Sequence, residues 1–238
     1  MNVVSRIEAA AHGPVEIAMA GERMVCDPSG ALYLPADRLL VVSDLHLEKG
    51  SSYARRGSML PPYDTAATLA RLADVVARLR PAVVVSLGDS FHDDGGAGRM
   101  PEPFREHLLQ VMEGREWYWI AGNHDPAAPD NLPGRCVDEL ALGDLTFRHE
   151  PSKGGGEGEI AGHLHPGARI VRRGRSVRRA CFASDGRRLV MPAFGSLTGT
   201  LNVLDRAFAG LFKRESLTAY MLGANRVYPI AGGALRPA

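Results

Sequence analysis

The alternation of short apolar runs with amphipathic segments constrains the fold of this chain more than any other feature. Runs rich in Val, Ile and aromatic residues predict buried strands, and they cover residues 39–44, 82–89, 117–123 and 158–163. Two intervening segments, residues 64–81 and 101–114, carry apolar residues at helical spacing. In the first segment, Asp64 or Thr65 can cap the start of the helix and Pro81 ends it. In the second segment, Gly114 ends the helix. Strands separated by helices predict parallel pairing, with the helices packed against the sheet.

The remaining segments predict antiparallel structure. Residues 14–35, 169–195 and 219–230 have the pattern of hairpins, and little helical periodicity follows residue 145. A chain of 238 residues is long enough to bury a substantial core. We therefore predict an α/β fold, a four-layer sandwich in which two mixed β-sheets pack face to face and are flanked by helices. A single domain covers residues 1–238 in this prediction.

Composition and charge exclude several classes of protein. No run approaches the ~18 apolar residues of a membrane helix, and the first residues lack the apolar core of a signal peptide, so we predict a cytoplasmic protein without a membrane partner. The three cysteines lie far apart and form neither a disulfide framework nor a thiolate metal pair. The net charge is −8 over residues 1–147, +6 over 148–188 and +3 over 189–238. The charge distribution therefore allows a basic local surface over the C-terminal half, although the whole protein is not a basic nucleic-acid binder of the usual kind.

Polar residues follow the predicted strands, including a fifth at residues 145–149. Five of the eight histidines lie there, and the full set is Asp44, His46, Asp89, Asn123, His124, Asp125, His149, His163 and His165. Each cluster alone is commonly a turn or a helix cap. Five such clusters, each at the end of an apolar strand, are difficult to explain as independent turns. The carboxyl ends of parallel strands share one edge of a sheet, so we expect the clusters to lie close together.

The chemistry of these side chains predicts a metal site. Carboxylate, amide and imidazole donors without a thiolate suit Mn²⁺, Fe or Zn²⁺ better than soft copper. Seven candidate ligands are too many for one ion but suffice for two ions that share a bridging ligand. Two divalent ions polarise a phosphoryl group and activate water. The residues alone therefore predict a hydrolase with a dinuclear centre.

The ordered motifs DLH, GD, GNHD, H and GHLH, spread over residues 39–165, resemble those of the calcineurin-like metallophosphoesterases. The resemblance implies that Asp44, His46 and His165 hold one ion. It implies that Asn123, His149 and His163 hold the second, with Asp89 as the bridge. We predict that His124 stabilises the transition state or protonates the leaving oxygen, and that Asp125 holds its imidazole in the required tautomer.

Longer segments narrow the resemblance. The stretches SDLHLEKGSSYARRG, LPPYDT, LGDSFHD and GHLHPGARIVRRGRSVRRACF are similar to those of the ligase-associated DNA-damage-response endonucleases. These bacterial proteins are encoded near a DNA ligase, a helicase and an exonuclease. The resemblance implies phosphodiester hydrolysis with Mn²⁺, with Fe, Zn²⁺ or Ni²⁺ as alternatives. It also implies a DNA or nucleotide substrate and repair proteins as partners. The related hydrolases of lipid A synthesis carry Arg where this chain has His124.

Several candidate substrate contacts have two interpretations. His92 can contact substrate or a metal ligand, or it belongs to a capped turn. Arg55 and Arg56 can bind a phosphate oxygen from a loop over the metals, or they lie in a surface loop. Arg172 and Arg173 belong to an arginine-rich segment, which either follows a nucleic-acid backbone or protects the edge of a solvated hairpin.

Two further functions stay open at this point. One is a phosphodiesterase for a small nucleotide. The other is a non-catalytic, metal-bound scaffold for a repair partner. The presence of all seven ligand positions together with His124 argues against the scaffold, because a decayed enzyme usually loses at least one of them.

Overall fold

The computed structural model describes residues 13–58, 63–127, 129, 131–154 and 156–238. The expectation about the N-terminal leader concerns residues 1–21, of which residues 1–12 lie outside these ranges, as do residues 60–62 of the LPPYDT segment. The prediction of one domain over residues 1–238 stays a prediction. Among the described residues, no helix combines the length and the apolar character needed to cross a bilayer.

Two mixed β-sheets form the centre of the molecule, which confirms the predicted fold class. In the described part, sheet 1 has seven strands in chain order: β1 (Val15–Met19), β2 (Glu22–Cys26), β3 (Leu32–Leu34), β4 (Leu39–Val42), β5 (Val83–Ser86), β6 (Glu116–Ile120) and β7 (Arg135–Val137). Strands β4 to β7 are parallel, as the strand–helix alternation predicts.

Sheet 2 is built from the second half of the chain. Its strands are β8 (Glu139–Leu142), β9 (Leu145–Arg148), β10 (Glu159–Ala161), β11 (Pro166–Arg172), β12 (Arg175–Ser184), β13 (Arg188–Val190), β14 (Leu201–Asn202), β15 (Thr218–Leu222) and β16 (Val227–Ala231). Strand β10 pairs in parallel with both β9 and β13. The predicted hairpins are present as the antiparallel pairs β1–β2, β11–β12 and β15–β16.

The described helices are α1 (Lys49–Arg55), α2 (Asp64–Leu79), α3 (Gly96–Arg99) and α4 (Glu102–Met112), and 3-10 turns span Arg206–Phe208 and Gly232–Ala234. Of these helices, α2 and α4 cover the outer face of sheet 1, and α1 contacts α2 and α3. Helices α2 and α4 fall within the predicted segments 64–81 and 101–114. Both confirm the helical spacing of their apolar residues.

Three apolar layers form the core: one between the helices and sheet 1, one between the two sheets, and one on the outer face of sheet 2. Successive side chains of a strand point into the layers on its two sides. On β4, Leu40 and Val42 face the helices, whereas Leu39 and Val41 face sheet 2. This two-sided burial is expected of a parallel strand covered on both faces. The outer face of sheet 2 differs from the prediction of flanking helices, because loops and 3-10 turns cover it with Val203, Phe208 and Leu217. The sequence after residue 145 has no helical periodicity with which to build such a layer.

Candidate metal centre

The loops after β4 and β5 continue to pair beyond the ends of their strands. The amide of Asp44 donates to the carbonyl of Gly88 at 3.3 Å, and that of His46 donates to the carbonyl of Asp89 at 2.9 Å. Parallel pairing of the strands thus leads directly into the polar loops. It brings Asp44, His46 and Asp89 to one edge of sheet 1.

The first group of side chains consists of Asp44, His46 and His165, whose candidate ligand atoms lie within 4.8 Å of one another. The Nε2 atoms of His46 and His165 are 3.3 Å apart. His165 Nε2 lies 3.2 Å from Asp44 Oδ1. Asp44 and His46 are buried, and His165 is half-buried.

The second group consists of Asp89, His149 and His163, again within 4.8 Å, and Asn123 joins it. His149 Nε2 lies 2.9 Å from Asn123 Oδ1, 3.1 Å from His163 Nδ1 and 3.4 Å from Asp89 Oδ1. The two groups adjoin, because the amide of His163 donates to Asp44 Oδ2 at 3.1 Å.

A main-chain hydrogen bond orients the His149 ring. Its Nδ1 lies 2.8 Å from the carbonyl oxygen of Leu87, which can only accept, so Nδ1 carries the proton and donates. With Nδ1 committed to this bond, Nε2 points towards Asp89 and Asn123 and is the nitrogen that would coordinate an ion. Metal-binding histidines are commonly held in this way by a second hydrogen bond.

The electrostatics of the two groups differ. Burial lowers the pKa of His46 to about 4. Burial also opposes charge on His149, but its hydrogen bond to Asp89 raises the pKa to about 9. Burial would raise the pKa of Asp89, yet His149 lowers it to about 2. Without an ion, His149 and Asp89 therefore form a charged pair, whereas His46 is neutral.

The donor set fits divalent cations. Oxygen and nitrogen donors converge in both groups, and the three cysteines lie outside them. Asp44 Oδ1 and His46 Nδ1 are buried without a hydrogen-bond partner, a costly arrangement unless another group satisfies them. Ring nitrogens that face each other at 3.1–3.3 Å are a further sign, since one shared cation satisfies both lone pairs.

Five of the seven predicted ligands have left-handed backbone, with φ between 44° and 65°: Asp44, His46, Asp89, His163 and His165. Non-glycine residues adopt this conformation rarely, and it is concentrated at functional sites. The alternation of left-handed residues along 44–46 and 163–165 turns successive side chains towards the same edge.

Two glycines leave room for the site. A Cβ on Gly88, whose φ is +73°, would lie 2.5 Å from Nδ1 of His149. A Cβ on Gly122 would collide with the backbone of Asp89 and lie 2.5 Å from Asp125 Oδ1. The glycines of the GD and GN motifs are therefore required by close packing.

The described contacts of Asp125 are with main-chain amides, and its predicted role beside His124 stays a prediction. Its Oδ2 accepts the amides of Ser90 at 2.8 Å and Phe91 at 3.0 Å, and none of the described contacts joins it to the His124 ring. Burial raises its pKa to about 7. Asp125 thus supports the loop that carries Asp89, because its carboxylate satisfies two main-chain amides of that loop.

His124 extends past the two groups to a row of rings. It is exposed, stacks on His92 at 5.3 Å between ring centroids and meets His46 edge-on at 5.5 Å. Tyr53 also packs against His92, with 5.6 Å between the ring centroids. Sequence reasoning found His124 and His92 but missed Tyr53, for which the sequence offers no signal.

The four predicted arginine contacts lie at the periphery. Arg55 ends α1 and Arg56 follows it, so they lie on a helix end and not on a loop over the metals. Both line a cleft of about 360 Å³ together with Asp93. The pKa of His92 is lowered mainly by burial, and positive charges that include Arg56 contribute less. Arg172 and Arg173 are exposed at the tip of the β11–β12 hairpin.

Ser43 is a further residue that the sequence reasoning missed. Its hydroxyl donates to Asp44 Oδ2 and so fixes the carboxylate that touches both groups. The only available signal was its place between the apolar end of β4 and Asp44.

A known nuclease shares this architecture. A solved structure of the nuclease MPE of Pseudomonas putida is 30% identical, has a TM-score of 0.69 and covers 91% of this chain and 100% of its own. The phosphoesterase Yfce of E. coli is 16% identical with a TM-score of 0.42, covering 81% and 98%, too remote to add support. No curated protein matches the chain.

The family comparison covers the metal centre itself. The pattern of the calcineurin-like phosphoesterases matches residues 37–178, more than half of the chain. That range contains every strand end that contributes to the two groups. The chain therefore belongs to the calcineurin-like phosphoesterases, which are hydrolases of phosphoester bonds that use divalent metals.

Proposed function

We propose that the protein is a dinuclear metal-dependent phosphodiesterase that hydrolyses DNA. One observation carries the proposal: two adjoining groups of O and N donors lie where strand ends of the two sheets meet, and an exposed histidine, His124, lies directly beyond them. The similarity to a nuclease at 30% identity supports a nucleic acid as the substrate, and the choice of DNA follows from the sequence resemblance. The predicted link to ligase-associated repair remains part of this proposal.

Seven side chains would hold the ions. Asp44, His46 and His165 form one set, Asn123, His149 and His163 the other, and Asp89 would bridge them. The chemistry that two ions supply at such a site is polarisation of the phosphoryl group and activation of water. The neutral amide of Asn123 adds a ligand without adding negative charge, which leaves the ions more electrophilic.

The residues beyond the ligands would act on the leaving group. His124 would donate a proton to the departing oxygen, since its ring is exposed and stacked on His92. His92 would limit the rotation of that ring and present a second imidazole to the substrate. Arg55 and Arg56, in the neighbouring cleft, would bind a phosphate that flanks the scissile one.

The distinguishing experiment is one activity panel with Mn²⁺, Mg²⁺ and Zn²⁺. It compares a chromogenic monoester, a chromogenic diester, and single- and double-stranded DNA. The proposal predicts hydrolysis of the diester and of DNA that requires added metal. Hydrolysis of the diester without cleavage of either DNA would favour a small nucleotide as substrate, and no hydrolysis with any metal would favour a scaffold.

A further inference from the structure

The pairing registers place the β11–β12 hairpin beside the metal centre. Ala161, at the end of β10, is level with Val190 on β13, which in turn is level with Ala183 on β12. Strand β11 is antiparallel to β12, which is antiparallel to β13. Strand β11 therefore runs in the same direction as β10, towards and then past the edge that carries His163 and His165.

The projecting part of this hairpin, residues 167–180, is here named the arginine ribbon. Strand β11 begins at Pro166, directly after His165. At about 3.3 Å per residue, the tip lies roughly 20 Å beyond that histidine. Arg175, on the returning strand, lies eight residues before Ala183. The ribbon thus extends outward from the metal-bearing edge.

The base of the ribbon is fixed, and within the described ranges no third strand pairs with its tip. Strand β14 pairs only with Pro166 and Gly167, and the amide of Arg236 donates to the carbonyl of Arg169 at 2.8 Å. All residues from Val171 to Arg179 are exposed. Arg173 and Gly174 have φ values of 50° and 74°, the pattern of a tight two-residue hairpin turn.

The ribbon carries six positive charges and no acidic residue: Arg169, Arg172, Arg173, Arg175, Arg178 and Arg179. Within the part of the chain that the structure describes, none of the six forms an ion pair with a carboxylate. Arg169 and Arg178 donate to the main-chain oxygens of Pro237 and Thr200. Arg172 and Arg175 are cross-strand partners beside the turn and share one face of the ribbon.

We infer that the arginine ribbon binds the phosphate backbone of the DNA strand whose scissile bond lies at the metal centre. The inference rests on the proposed function. The occupant must be a polyanion long enough to span the distance from His165 to the tip. At ~3.4 Å per nucleotide along one strand of a duplex, that distance corresponds to about six nucleotides.

Protection of a sheet edge is the competing explanation, since charged residues on an edge strand prevent edge pairing. Edge protection does not require the charges to lie beyond the metal-bearing edge, and it predicts no effect on DNA binding. Binding to the backbone predicts a contribution that depends on substrate length and on salt.

The test compares two double variants with equal loss of charge. Arg172→Gln with Arg175→Gln removes the tip pair, and the control is Arg23→Gln with Arg187→Gln. Both control residues are about two-thirds exposed. Arg23 lies near the start of β2 and Arg187 directly precedes β13, in each case at the end of the sheet away from the metal centre. Each protein is assayed for hydrolysis of a chromogenic diester with Mn²⁺, and for binding of 2- and 30-nucleotide single-stranded DNA with Ca²⁺.

The tip variant should bind the 30-nucleotide strand about tenfold more weakly at low salt. The slope of log affinity against log salt should become shallower by about 1.4, because each phosphate of a single strand that an arginine neutralises contributes ~0.7 to that slope. Binding of the dinucleotide and hydrolysis of the chromogenic diester should match the control. Equal 30-nucleotide affinity and slope in the tip and control variants would overturn the inference. Absence of diester hydrolysis in the wild type would contradict the proposed function instead, and the binding arm still tests the ribbon.

Discussion

At the scale of single residues, the metal centre concentrates conformations and contacts that are unfavourable elsewhere. Asp44, His46 and Asp89 have left-handed backbone, which costs about 1–2 kcal/mol for each residue with a Cβ. Buried lone pairs on Asp44 and His46 add to the cost. A site of this kind persists because the surrounding hydrogen bonds hold it and because bound ions would satisfy the lone pairs.

The proposed general acid gives a prediction at this scale. His124→Ala should keep its metal but lose about 10²–10⁴-fold in the rate of DNA cleavage, the range of general acid catalysis. Steady-state kinetics and metal analysis on the same sample measure both quantities. His107→Ala, on α4, is the matched control and should behave as the wild type. Loss of metal in His124→Ala would show instead that this histidine is a ligand.

A second residue-scale prediction separates the two roles considered for Asp125. Its carboxylate accepts two amides of the loop that carries Asp89. Asp125→Ala should therefore lower the affinity for Mn²⁺ by about 10–100-fold, the usual effect of removing a group that supports a ligand. Calorimetric titration of the metal-stripped protein measures this affinity. A variant with unchanged affinity and a slower rate would favour the role of orienting His124.

At the scale of elements, an ion pair ties α2 to the loop after β2. Two nitrogens of Arg78 lie 2.8 and 3.0 Å from the carboxylate of Asp27. Asp27 is 2% exposed and Arg78 is 52% exposed. Burial alone would raise the pKa of Asp27, but the hydrogen bonds from Arg78 and Ser29 outweigh it and lower that pKa. The contact therefore stabilises the ionised carboxylate in the folded state.

Loss of the Asp27 charge should destabilise the protein in a pH-dependent way. Asp27→Asn should lower the free energy of unfolding by about 1–3 kcal/mol at pH 7, the usual range for a buried polar group that loses a partner. The Asp27 pKa is depressed in the folded state, so its contribution is complete above the unfolded value of ~3.9 and declines as the pH falls further. Urea unfolding at pH 7 and pH 3 should show the difference shrinking. A difference that stays constant would contradict the linkage.

Some elements could be predicted from sequence, and others depend on tertiary contacts. The runs ending at Asp44, Asp89 and His149 were recognisable, because apolar strands stop at polar residues in a fixed order. The partners of Asp125 could not be predicted, because the amides that its carboxylate binds are about 35 residues away in sequence. The direction of the arginine ribbon follows from the order of strands in sheet 2, which no local pattern encodes.

At the scale of the whole molecule, the two sheets bring distant parts of the chain to one edge. Asp44 and His165 are 121 residues apart in sequence, yet their side-chain atoms lie 3.2 Å apart. The core between the sheets, which includes Val41, Val85 and Ile160, holds these strand ends in register. The same edge gives rise to the arginine ribbon, so hydrolysis and strand binding would share one face.

The central claim is that this edge holds two ions that act together on a phosphodiester. It is tested most directly by titrating metal-stripped protein with Mn²⁺ while following both bound metal and hydrolysis of a chromogenic diester. We predict two ions per chain, with turnover appearing as the second site fills, and neither full metal content nor turnover in Asp89→Ala. Turnover that saturates at one ion, or an Asp89→Ala variant with full metal and full activity, would contradict the account.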